Sequence, residues 1–156
     1  MKFQFGEQGH VAFGKYPISM NGLTTLDAVD MSKYGHLQAI IALGASNGGA
    51  VTFTAYAATD NAATSADAIP FHVYKAETTG SDVFGARTAV TTSGFAAKND
   101  SVSNIAYIID IDASDLPDGH NWVNVTASGA TTTTPGCVMY LLTGARYDKT
   151  ESASVL

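Results

Sequence analysis

The chain has 156 residues, 46% of them hydrophobic and only 14% charged, a length that forms one domain with a full hydrophobic core. Its net charge of −6 and its eight scattered basic residues set nucleic acid aside as a main partner, because phosphate binding needs clustered Lys and Arg. No apolar run approaches the length of a membrane span, so no membrane partner is expected.

The first residues, MKFQFGEQGHVAF, lack the apolar core of a signal peptide, so the chain is expected to stay in the cytoplasm of the cell that makes it. Residues 1–9 read as an arm. Phe3 and Phe5 stand two apart, so an extended backbone projects both rings to one side, and no neighbouring apolar sequence covers them. A first strand is expected from His10 to Tyr16, carrying Phe13 and Tyr16. Phe3, Phe5, Phe13 and Tyr16 together are the candidate residues for contact with another protein or another copy of the chain.

Period-two alternation then dominates. In 36–43, Leu37, Ala39, Ile41 and Leu43 alternate with His36, Gln38, Ile40 and Ala42. In 51–58, Val51, Phe53, Ala55 and Ala57 alternate with Thr52, Thr54, Tyr56 and Ala58. Further strands are expected over 69–75, 87–92, 105–111, 122–127 and 137–143. Gly, Pro, Asn and Asp turn residues separate them at 47–49, 60–61, 79–82, 117–120 and 134–136. One short helical turn is expected within 60–68, and Ser114 is placed to cap another at Asp115-Leu116. About eight short strands imply a single all-β domain, a β-sandwich or jelly roll, over residues 10–147. Residues 148–156 read as a polar tail.

Gly44-Ala45-Ser46-Asn47-Gly48 matches the nucleophile-elbow pattern G-x-S-x-G. That turn must be followed by a helix, whereas Ala50 to Thr54 reads as a strand. Asn47-Gly48 between two alternating runs is a hairpin signal, so Ser46 is expected to be a turn residue. Asp110 to Gly119 resembles the start of a calcium loop, but the sixth and twelfth positions hold Asp115 and Asn121 in place of Gly and Glu. A calcium site of another kind, from Asp110, Asp112 and Asp115, competes with a capped, solvated turn. His10, His36, His72 and His120 show no metal-ligand spacing. Cys137 is the lone cysteine. It excludes an intrachain disulfide framework, and its apolar setting predicts a buried structural thiol. Core packing accounts for most of Phe53, Phe71, Tyr74, Tyr107, Trp122 and Tyr140. No catalytic constellation, cofactor motif or metal motif emerges, and no enzymatic activity is expected.

Two stretches carry a resemblance. One is Asp30-Met31-Ser32-Lys33-Tyr34, followed by Ala39-Ile40-Ile41, Gly44, Val51-Thr52-Phe53 and Ala58-Thr59-Asp60. The other is Ile108 to Leu116, followed by Trp122-Val123-Asn124-Val125 and Gly144-Ala145-Arg146-Tyr147. Over residues 24–147 the chain resembles the decoration, or cement, proteins encoded beside the major capsid protein in tailed bacteriophages. The resemblance implies a β-sandwich or jelly-roll module on the outer face of an icosahedral head, stabilising contacts between capsomers. Its partners would be the major capsid protein and further copies of itself, a trimer favoured over a dimer. It transfers no catalytic residues and does not extend to the residues before Asp27. A weakly charged, Thr- and Ala-rich surface fits flat protein contacts, where charge is depleted. The competing class is a carbohydrate-binding β-sandwich on a fibre or an adhesive surface, since aromatic sugar platforms and core aromatics look alike in sequence.

Overall fold

A computed structural model describes residues 9–22, 24–46 and 48–145. Phe3, Phe5 and the 148–156 tail lie outside the described residues. The fold is all-β, with two antiparallel sheets facing each other across one core. The first sheet contains β1 (Gly9–Ser19), β4 (Tyr34–Leu43), β7 (Phe71–Ala76), β8 (Thr88–Val90), β10 (Ile105–Asp112) and β12 (Pro135–Ala145), in the order β1-β12-β4-β10-β7-β8. The second is built from β2 (Thr24–Thr25), β3 (Val29–Asp30), β5 (Thr52–Ala58), β6 (Ala66–Ile69), β9 (Phe95–Ala96) and β11 (Trp122–Ser128). There β11 and β5 form the centre, β2 and β3 pair with β11, and β6 and β9 pair with β5.

The alternating pattern explains why these segments are strands and which way they face. Leu37, Ala39, Ile41 and Leu43 of β4 point into the core. So do Phe53, Ala55 and Ala57 of β5, Val123, Val125 and Ala127 of β11, and Val138, Tyr140 and Leu142 of β12. Each fully buried Ile, Leu, Val or Phe contributes about 1.5–3 kcal/mol, so the two inner faces dominate stability.

Several expectations are corrected. Among the described residues the strands number twelve rather than about eight, because the added ones run only two to four residues and show no period. The 44–51 segment is not a hairpin: β4 and β5 lie in different sheets and the segment crosses between them. Ile69 and Phe71 likewise belong to different sheets, β6 and β7, with Pro70 at the corner, where a residue without N–H is tolerated. The 60–68 helical turn is absent, since β6 already begins at Ala66. Ser114 lies inside a short 3-10 turn, Ala113–Asp115, that follows Asp112. Cys137 is half-exposed, because it alternates with the inward Val138 and so faces out of the first sheet.

Candidate functional site

The outer face of the first sheet carries the chemistry that stands out. Among the described residues five large hydrophobic side chains are exposed, and four of them, Val11 (42%), Phe13 (43%), Tyr16 (70%) and Ile18 (47%), lie on the edge strand β1. Phe13 and Tyr16 are three apart and would face opposite ways in a regular strand. The register of β1 on β12 shifts between Phe13 and Lys15 and again between Lys15 and Ile18. These bulges bring the two rings together, stacked with centroids 5.0 Å apart and planes at 12°. Gly14 permits the kink: a Cβ there would lie 2.6 Å from the Tyr140 ring, which packs beneath it.

The register extends the patch across the sheet. Phe13 pairs with Met139, Met139 with Ile40, Ile40 with Ile108, and Ile108 with Tyr74, one row of outward apolar side chains over five strands. The next outward row is small: Cys137, Ala42 and Ala106. It floors a shallow groove of about 560 Å³, walled on one side by Pro17, Pro135 and Gly136 and on the other by the Gly80–Asp82 turn and Asn104. Ile18 lies opposite Gly136 at one rim. Val83, the fifth exposed hydrophobic at 76%, follows Asp82 at the other. Bulges, Lys15 and Pro17 make the backbone of β1 a poor template for strand addition. The apolar surface therefore lies in its side chains.

At the opposite end of the same face lies a polar cluster. Asp110 has outward parity, yet its side chain is only 5% exposed. His36 Nε2 lies 2.8 Å from Asp110 Oδ1, Arg87 Nε donates to Oδ2 at 2.8 Å, and Gln38 Nε2 donates to Oδ1 at 3.3 Å. His36 Nδ1 lies 2.8 Å from Asp112 Oδ1. The hydrogen bond to Asp110 pushes the Arg87 guanidinium above its ordinary pKa. Arg87 ends the 77–87 connection, so this cluster anchors one end of the segment that walls the groove. Near the start of that segment, Glu77 accepts from the Tyr107 hydroxyl at 3.1 Å and pairs with Lys98 Nζ at 2.9 Å. Burial acts to raise the Glu77 carboxyl. Hydrogen bonds from Lys98 and Tyr107, and the charges of Lys98 and Lys75, outweigh it and hold the pKa below the ordinary 4.5. Burial also pushes the Tyr107 and Tyr140 hydroxyls well above the usual range. The Tyr140 hydroxyl completes no hydrogen bond among the described residues, the Val125 backbone only approaching it.

Of the residues singled out in the sequence, Phe13 and Tyr16 form part of the exposed patch, and Phe3 and Phe5 lie outside the described residues. Asp110 and Asp112 are committed to His36 and Arg87, and Asp115 sits in the 3-10 turn. No group of three or more His, Cys, Asp or Glu side chains converges as a metal site among the described residues. Ser46 is 3% exposed, its Oγ donating to the Gly49 carbonyl at 3.1 Å and accepting from the Gly48 N–H at 3.3 Å, as a turn residue does. Sequence reasoning missed the groove and the Asp110 cluster, because both depend on which strands lie side by side.

No family model and no curated protein sequence matches the chain. Among solved structures it is similar to the crystal structure of SPBc2 prophage-derived protein YomS, with 14% sequence identity and a TM-score of 0.46 over 86% of this chain and 91% of that one.

Proposed function

We propose that the chain is a structural docking module that decorates the outer surface of an icosahedral phage head and stabilises the contacts between capsomers. The observation that carries the docking role is the apolar outer face of the first sheet. A monomeric surface seldom gathers nearly all its exposed large hydrophobics on one strand and continues them across four more, and such patches mark protein interfaces. The aromatic pair Phe13–Tyr16 is the kind of anchor that dominates contact energy. The choice of a phage head as partner comes from the sequence resemblance over residues 24–147. Many copies on a repeating lattice let a modest affinity per copy suffice. The test is co-sedimentation with empty phage heads assembled from a major capsid protein. Saturable pelleting at a fixed copy number per capsomer is expected, and recovery of all the protein in the supernatant overturns the reading.

A second reading, carbohydrate binding, is favoured by one feature of the other sheet. On its outer face the half-buried Tyr56 pairs with Asn124, and Trp122 follows two residues along on the same side. Two aromatic rings on one sheet face suit stacking on a sugar ring; Asn124 between them is buried at 3% exposure and takes no part. Retention on a glycan array that is lost on Trp122→Ala would favour this reading over the first.

A further inference from the structure

The groove between the Cys137–Ala42–Ala106 floor and the Gly80–Asp82 turn has a shape and a charge that specify an occupant. It is shallow and open to solvent, with a volume of about 560 Å³, so it suits side chains laid along it. The floor is of small apolar side chains, and Asp82 is the one charged residue of the lining among the described residues. Exposed apolar side chains flank both rims, Tyr16 and Ile18 beside Pro17 and Val83 beside Asp82. A complementary segment carries aromatic side chains at period two with a cation next to them. The sequence Lys2-Phe3-Gln4-Phe5 of this same chain has that pattern.

The groove of its own copy cannot receive both rings. Gly9 pairs with Thr143, six residues along β12 from Cys137 in the groove floor. With two strand spacings to cross as well, the groove centre lies about 22 Å from Gly9. Fully extended, Phe5 lies no more than about 14 Å from Gly9 and Phe3 about 22 Å, only with the chain drawn taut. A neighbouring copy has no such limit.

We propose that the Lys2–Phe5 segment of one copy seats its two rings in the groove of a second copy, with Lys2 beside Asp82, linking copies by an exchanged arm. The proposal rests on the reading of this sheet face as a docking surface and names what one part of it receives. Two rings bound in an apolar groove supply the buried core of such a contact, and Asp82 with Lys2 fixes its direction.

The half-exposed Cys137, which lines the groove, is a built-in reporter. A chain carrying Gln4→Cys with Cys137→Ser keeps both rings and Lys2 and has a thiol only in the arm. Mixed with the wild-type chain at tens of micromolar and oxidised with diamide, it can form a disulfide only between copies. Expected is a heterodimer yield about tenfold above a control chain with Asp118→Cys and Cys137→Ser, reflecting the high local concentration of a seated arm. Asp82→Lys in the wild-type partner should lower that yield several-fold, while Asp82→Asn should lower it less. A yield equal to the control, or one indifferent to Asp82→Lys, overturns the proposal. Head binding that survives without cross-linking sinks the arm exchange alone, and cross-linking without head binding sinks the decoration reading alone.

Discussion

Replacing Asp110 by Ala tests whether the polar cluster holds the docking face together. The carboxylate is 5% exposed and takes contacts from His36, Arg87 and Gln38. Breaking a buried charged network by removing one partner costs about 3–5 kcal/mol when the groups left behind are trapped without a counter-charge. Here His36 and Arg87 retain 28% and 38% exposure and can turn toward water. The expected loss is therefore smaller, about 2–4 kcal/mol. For a domain of this size that is a fall in Tm of roughly 5–15 °C. Asp110→Asn keeps the shape and one acceptor oxygen and should lose less. Asp112→Ala, at a carboxylate that is 44% exposed, should stay within about 1 kcal/mol. Urea unfolding followed by Trp122 fluorescence measures all three, with m unchanged if only stability moves. A loss for Asp110→Ala below about 0.5 kcal/mol, the size of an ordinary surface change, would refute the cluster as an anchor of the 77–87 segment.

Gly14→Ala places a Cβ 2.6 Å from the Tyr140 ring and should cost about 1–3 kcal/mol by overpacking; an unchanged melting curve contradicts the packing described for β1. Glu77 titrates below its ordinary 4.5 in the fold, so the stability it supplies is present above that value and is lost as pH falls through the folded value. Thermal melts between pH 3 and 7 should show a shallower acid-side decline for Glu77→Gln than for the wild type, and identical slopes would count against the Lys98–Glu77–Tyr107 network. Ser46→Ala leaves the Gly48 N–H without its acceptor and should cost about 1 kcal/mol, and labelling of Ser46 by a serine-directed phosphonate would contradict its role as a turn residue.

How far the sequence could be read depends on the length of each pattern. The long alternating runs of β4 and β5 declared their inward residues, because period two over seven or more residues has one reading when one face is buried. It also placed His36 on the side opposite them, whereas Asp110 read only as a possible cation ligand or part of a solvated turn. It could not show that they meet, since their contact depends on β10 and β4 being neighbours although 73 residues separate Asp110 from His36 in the chain. Asn47-Gly48 reads as a hairpin where the chain in fact changes sheets, for a related reason: turn residues state that the chain bends, not which sheet receives it. Phe13 and Tyr16 were legible as candidates by their exposed aromatic chemistry. Their pairing on one face was not, because it arises from bulges at Gly14 to Pro17 that break the alternation. Cys137 shows the limit of composition, since its apolar neighbours suggested burial while the phase of the strand turned it outward.

The most direct test of the docking role is the disruption temperature of empty heads saturated with the wild-type chain or with the Phe13→Ser, Tyr16→Ser double variant. Both rings are already exposed, so the free variant should fold and melt like the wild type. The account predicts that the wild-type chain raises the disruption temperature by several degrees and that the double variant neither binds nor raises it. A double variant that stabilises the heads as well as the wild type would contradict it.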